Sequence, residues 1–127
     1  MPTLDDAAEI AMSLPGVSEG ERWGTRTWLV GAKVFAWERP LSKADIKRFG
    51  DETAPDGPIL ALSVEDIGEK EAVLAAAHDD FFTISHFDGY AGVLVQLRRA
   101  KKRALREAIV DAWLVHAPTK LAEEFLG

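Results

Sequence analysis

At 127 residues, 47% of them hydrophobic, the chain has the size of one ordinary domain able to bury its own core. It contains no cysteine, which excludes disulfides, thiol nucleophiles and cysteine-based zinc sites and fits a reducing compartment. The formal net charge of −6 argues against a protein that coats nucleic acid indiscriminately.

The chain starts Met1-Pro-Thr-Leu-Asp-Asp6, without the basic and apolar regions of a signal peptide. A helix is expected from about Leu4 to Leu14, capped by Thr3 with Asp6 three residues on and stopped by Pro15-Gly16. Leu4, Ala7, Ala11 and Leu14 share its apolar face. From Val17 to Trp37 the spacing changes to that of strands. Within it, Thr25–Val30 and Lys33–Trp37 read as a hairpin turning at Gly31-Ala32. Ser42 offers the cap of a short helix through Phe49, residues 51–57 form an acidic loop with proline and glycine, and Ile59–Ser63 reads as a strand.

Residues 66–77 have helical character, with Asp66 as cap and Glu69 completing a capping box. Phe81–Ile84 and Ala91–Leu97 read as strands around the turn dipeptide Asp88-Gly89. The clearest helix covers 101–116, where Leu105, Ala108, Ile109 and Ala112 make the apolar stripe and Trp113 extends it. Ala117-Pro118 breaks it, and Thr119–Leu126 closes the chain as a short helix. Strands joined by short turns, with helices at the ends, predict an α+β domain over residues 1–127: an antiparallel sheet flanked by helices.

The order of these signals resembles the MmcQ/YjbR-like proteins. The resemblance rests on Leu14-Pro-Gly-Val17, on Arg22-Trp-Gly24, on the hairpin Trp28-Leu-Val-Gly-Ala-Lys-Val-Phe35, and on Ala112-Trp113 followed by Ala117-Pro118. Phe81-Phe-Thr-Ile-Ser-His-Phe-Asp-Gly-Tyr90 followed by Val93-Leu-Val95 resembles a subgroup of the same family. The match covers nearly the whole chain. It implies a two-layer α+β fold and carries the label "DNA-binding", with no agreed catalytic constellation to transfer. Many members place a basic residue and a tryptophan where this chain reads Asp88-Gly-Tyr-Ala-Gly92, so a ligand contact there would differ.

The sharpest functional signal is a charge asymmetry. Residues 51–80 hold nine acids against Lys70 alone, whereas residues 98–107 hold six bases against Glu107 alone. Arg99, Lys102, Arg103 and Arg106 follow helical spacing, so a helix through them would display four cations able to follow a phosphate backbone, with Arg98 extending the stripe. Cations in a first helical turn oppose the macrodipole by about 0.3–1 kcal/mol each. The alternative is a solvated face, or one paired to the acid-rich segment.

Trp23, Trp28, Trp37 and Tyr90 could stack a ring, though core packing is the simpler account of tryptophans in a small domain. His86 and Asp88 would leave one face of a continuing strand, where Asp could orient the imidazole, but Asp88 is better explained as a turn residue. His78, Asp79 and Asp80 lack any metal-binding spacing, and no nucleophile elbow or phosphate loop is present.

Two classes of function follow. One is a nucleic-acid or other polyanion binder using Arg98, Arg99, Lys102, Arg103 and Arg106. The other is a small-ligand or protein-binding domain with an aromatic groove near Trp28, His86 and Tyr90. An enzyme is the third reading and would need a pocket with a strongly perturbed titratable group. No cofactor, metal or membrane partner is expected, and the cytoplasm is the expected location.

Overall fold

A computed structural model of the chain describes residues 2–22, 24–76 and 80–127. Helix α1 (Leu4–Met12) starts at the expected cap: the Thr3 hydroxyl accepts from the Asp6 N–H at 3.1 Å, and the Asp6 carboxylate accepts from the Thr3 N–H at 2.9 Å. Gly16, at φ +71°, then turns the chain into strand β1 (Val17–Arg22). No side chain could sit there without strain, and an added Cβ would stand 2.7 Å from Leu121 of the last helix.

Strands β2 (Thr25–Val30) and β3 (Lys33–Glu38) form the expected hairpin, with Gly31 at φ +61° in a two-residue turn. The pairing carries one irregularity. Val30 opposes Lys33 and Leu29 opposes Val34, but Trp28 opposes Ala36, leaving Phe35 as an extra residue.

Helix α2 (Lys43–Arg48) follows, with a complete capping box between Ser42 and Asp45. Strand β4 (Ile59–Ser63), helix α3 (Ile67–Ala76), the two-residue strand β5 (Phe81–Phe82) and strand β6 (Gly92–Gln96) complete the sheet. Asp66 Oδ1 accepts from the Glu69 N–H at 2.8 Å, as a cap for α3 should. Helices α4 (Lys102–His116) and α5 (Thr119–Leu126) end the chain.

All pairings are antiparallel, in the spatial order β1-β2-β3-β4-β6-β5. The central strands β4 and β6 are buried along their whole length and bury opposite faces in alternation. Leu60, Leu62, Val93 and Val95 pack with Trp28, α1 and the Leu105, Ile109, Ala112 and Trp113 stripe of α4 into the main core. Ile59, Ala61 and Leu94 pack on the other face with Ile84, Phe87, Trp37 and Phe49 into a smaller cluster. The fold is thus the expected α+β sheet with helices, and its second face is partly covered by α2 and the 81–90 segment.

That segment departs from expectation. The strand ends at Phe82, and Ser85–Phe87 form a 3-10 turn in place of extended chain. A turn of this pitch buries both Ile84 and Phe87, three residues apart, against the second face. His86 and Asp88 therefore do not share a strand face. Asp88 (φ −59°, ψ 129°) and Gly89 (φ +74°) instead make a type II turn closed by a 3.0 Å bond from the Tyr90 N–H to the Phe87 carbonyl. His78, Asp79 and Trp23 lie outside the described residues. No helix among the described residues is long and apolar enough to cross a membrane.

Candidate functional site

The basic run does not form one helical stripe. Arg98 and Arg99 lie in the turn that follows β6, and α4 begins only at Lys102. Arg99 therefore stands off the helix on which Lys102, Arg103 and Arg106 are exposed. Arg98 Nη1 donates to Asp56 Oδ2 at 2.7 Å, which makes one of the pairings with the acid-rich segment. Arg103 meets Glu107 across one helical turn at 3.6 Å, an exposed pair worth a few tenths of a kcal/mol. Arg106 has no carboxylate within ion-pair distance among the described residues. Lys101 stands at the N-cap without a side-chain cap bond, so α4 starts with cations against its dipole.

The aromatic residues divide between the two faces of the sheet. Trp28, expected beside His86 and Tyr90, is completely buried in the main core and cannot line a surface groove. Its indole N–H donates to Glu19 Oε1 at 3.0 Å. Arg26 lies 5.4 Å above its ring and binds both Glu19 (3.1 Å) and Asp5 (2.9 Å). The Arg26 bonds, chiefly, hold the Glu19 carboxyl below the usual carboxylate range.

The residue that meets His86 and Tyr90 is Trp37. It lines a groove of about 460 Å³ on the second face with Thr25, Arg39, His86, Phe87 and Tyr90. Tyr90 stands edge-on to Trp37 at 6.4 Å and to Phe87 at 5.3 Å, and it remains 47% exposed. Arg39 closes one side, its guanidinium 6.0 Å over the Phe87 ring and 3.1 Å from Asp45. Asp45 is buried at the start of α2. Burial alone would raise its carboxyl, but the Ser42 backbone and side chain, with Arg39, outweigh burial and hold it below the usual range.

The groove's shape depends on a residue outside those expected to line it. Lys70 of α3 is buried, and its ammonium donates to the carbonyls of Phe87 (2.6 Å) and Tyr90 (3.0 Å). It bridges both ends of the type II turn and fixes where Tyr90 stands. Its only sequence signal is its position as the one base among nine acids. Trp37 is one of the four aromatics able to stack a ring, but its spacing does not place it beside His86, and Arg39, just past β3, carries no signal of its own.

A helix-flanked antiparallel sheet with an aromatic groove on its less covered face defines an α+β architecture. The YjbR family model matches residues 12–115, and the chain belongs to the YjbR family. It is 43% identical over 130 residues to uncharacterised proteins of Mycobacterium tuberculosis and Mycobacterium bovis, covering 100% of this chain and 98% of theirs. The fold is similar to the crystal structure of a Deinococcus radiodurans protein with a DUF419 domain. There the TM-score is 0.66 at 20% identity, covering 98% of this chain and 88% of that one.

Proposed function

We propose that the protein is a small-ligand-binding domain whose groove between Trp37, His86 and Tyr90 takes a planar ring. The supporting observation is the Lys70 clamp: a buried ammonium holds in place a turn whose Tyr90 ring stays half exposed beside Trp37. Packing alone does not call for an ordered, exposed aromatic, and stacking of a ligand ring on Trp37 and Tyr90 would use it. Arg39 and His86 would supply polar contacts at the rim.

Titration with adenosine and with indole, read by tryptophan fluorescence, is the test. Saturable quenching that disappears in Trp37→Phe and weakens about tenfold in Tyr90→Ala is expected. Quenching that persists unchanged in Trp37→Phe, or no quenching by either probe, would overturn the assignment.

A second reading is polyanion binding by Lys102, Arg103 and Arg106, favoured by the exposed and largely unpaired cations at the start of α4. It expects anisotropy of a DNA duplex to rise with protein at low salt, with affinity falling about as the 0.9 power of salt per phosphate engaged. Charge reversal at Arg103 and Arg106 would abolish that binding. No binding at low salt would remove this reading.

A further inference from the structure

A second and larger cleft opens on the helical face of the sheet, between α3 and α4, with a volume of about 810 Å³. Leu62, Phe81 and Val93 form its floor, and Val73 of α3 one wall. On α4 the wall is Ala104 and Ala108, side chains too short to reach across and close the gap. These positions border the Leu105, Ile109 and Ala112 stripe and are themselves partly packed against the main core. The exposed cations Lys102 and Arg106 lie on the other flank of the same helix, since successive residues are rotated by about 100°.

The rim is anionic on both sides. Glu65, just before α3, and Glu69 on its first turn stand on one side, and Glu107 and Asp111, spaced i,i+4 on α4, on the other. Like charges at this helical spacing are mutually destabilising. Arg103 offsets Glu107 loosely at 3.6 Å, and Asp111 has no counter-ion among the described residues. Partial desolvation, first, and the charge of Glu107, second, hold the Asp111 carboxyl above the usual carboxylate range. The floor adds one polar point, Ser63, whose buried hydroxyl lies 3.2 Å from His116 Nε2. Burial, first, and Lys33 nearby hold that imidazole below its ordinary value, which disfavours a positive charge there.

We propose that this cleft binds a small organic cation with an apolar body, an alkyl- or arylalkyl-ammonium. Its nitrogen sits between the Glu107–Asp111 and Glu65–Glu69 rims, and its hydrocarbon lies on the Leu62–Phe81–Val93 floor. The cleft has the size of a drug-like ligand site, and its combination of apolar floor and uncompensated acids matches that class and disfavours anions. A bound ammonium would relieve the repulsion that Asp111 now carries.

The experiment is an NMR amide-shift titration of the full chain with n-octylammonium chloride, n-octanol and sodium octanoate. Octylammonium is expected to give saturable shifts confined to residues 62–73 and 104–115, with affinity at least about tenfold above octanol and no binding of octanoate. Asp111→Asn combined with Glu107→Gln should lower that affinity about tenfold, and Ala108→Leu, which fills the cleft, should abolish it. Both variants should keep the parent spectrum elsewhere. Octanol binding as tightly as octylammonium, equal affinity in the charge variant, or shifts centred on Trp37 would overturn the proposal. Cleft shifts from a lysine-rich amphipathic peptide with none from octylammonium would also overturn it, assigning the cleft to a protein partner.

Discussion

Trp28→Ala is expected to lower stability by about 3–5 kcal/mol, enough to unfold many domains of this size, as judged by denaturant titration. Trp28 is fully buried between the sheet and its helices, so truncation removes its whole apolar contribution and leaves a cavity that the β2–β3 backbone cannot collapse into. It also leaves the Glu19 carboxylate without its indole donor, though Arg26 still binds it. Trp37→Ala should behave differently. Trp37 is half-buried on the smaller second-face cluster, so the variant is expected to fold, with a cost of about 1–2 kcal/mol, while losing the groove. Equal losses from the two substitutions would contradict this division of roles.

Lys70→Met is expected to cost about 1.5–3 kcal/mol, the range for hydrogen bonds from a charged donor, and to loosen the 87–90 turn well beyond that global effect. Methionine nearly fills the lysine stem's volume, so the substitution isolates the two bonds from packing. Neither carbonyl is orphaned: Phe87 O still accepts from the Tyr90 N–H and Tyr90 O from the Gly92 N–H. The turn should therefore persist as a local conformation but lose its tie to α3. Hydrogen exchange at Tyr90 would accelerate relative to the β4–β6 core, and the groove ligand would bind more weakly. Exchange at Tyr90 that tracks the core in both proteins would show that the clamp does not hold the turn.

Local chemistry made much of this fold legible in the sequence. The Thr3–Asp6 and Ser42–Asp45 caps, the Gly31 hairpin turn and the α4 stripe each follow from short-range patterns that tertiary packing did not override. The site was legible only in part, and for one identifiable reason. In a regular hairpin with a two-residue turn, Trp28 would oppose Phe35, and Trp37, two residues on, would share its face. The single extra residue at Phe35 puts both Phe35 and Ala36 toward the main core and carries Trp37 to the opposite face. Nothing in composition announces a bulge, so sequence pairs Trp28 with His86 and Tyr90, whereas the structure places Trp37 there. The position of Arg99 off the helix has a similar origin. Helical spacing is necessary for a stripe but does not say where the helix begins, and the buried Leu97 and Ala100 keep the chain in a turn until Lys101.

The two ends of the sheet bear on how copies of this protein can meet. One outer strand, β1, is exposed beyond Val17 and carries Glu19, Glu21 and Arg22; the other, β5, offers only Phe81 and Phe82. A foreign strand seeking main-chain partners would meet charged side chains at one border and a ladder two residues long at the other. Sheet-to-sheet fusion, the usual route from a β-rich fold to fibrils or swapped dimers, is thereby disfavoured at both borders. A crowded solution of the native protein should therefore resist β-type aggregation even though its central strands are apolar and fully buried.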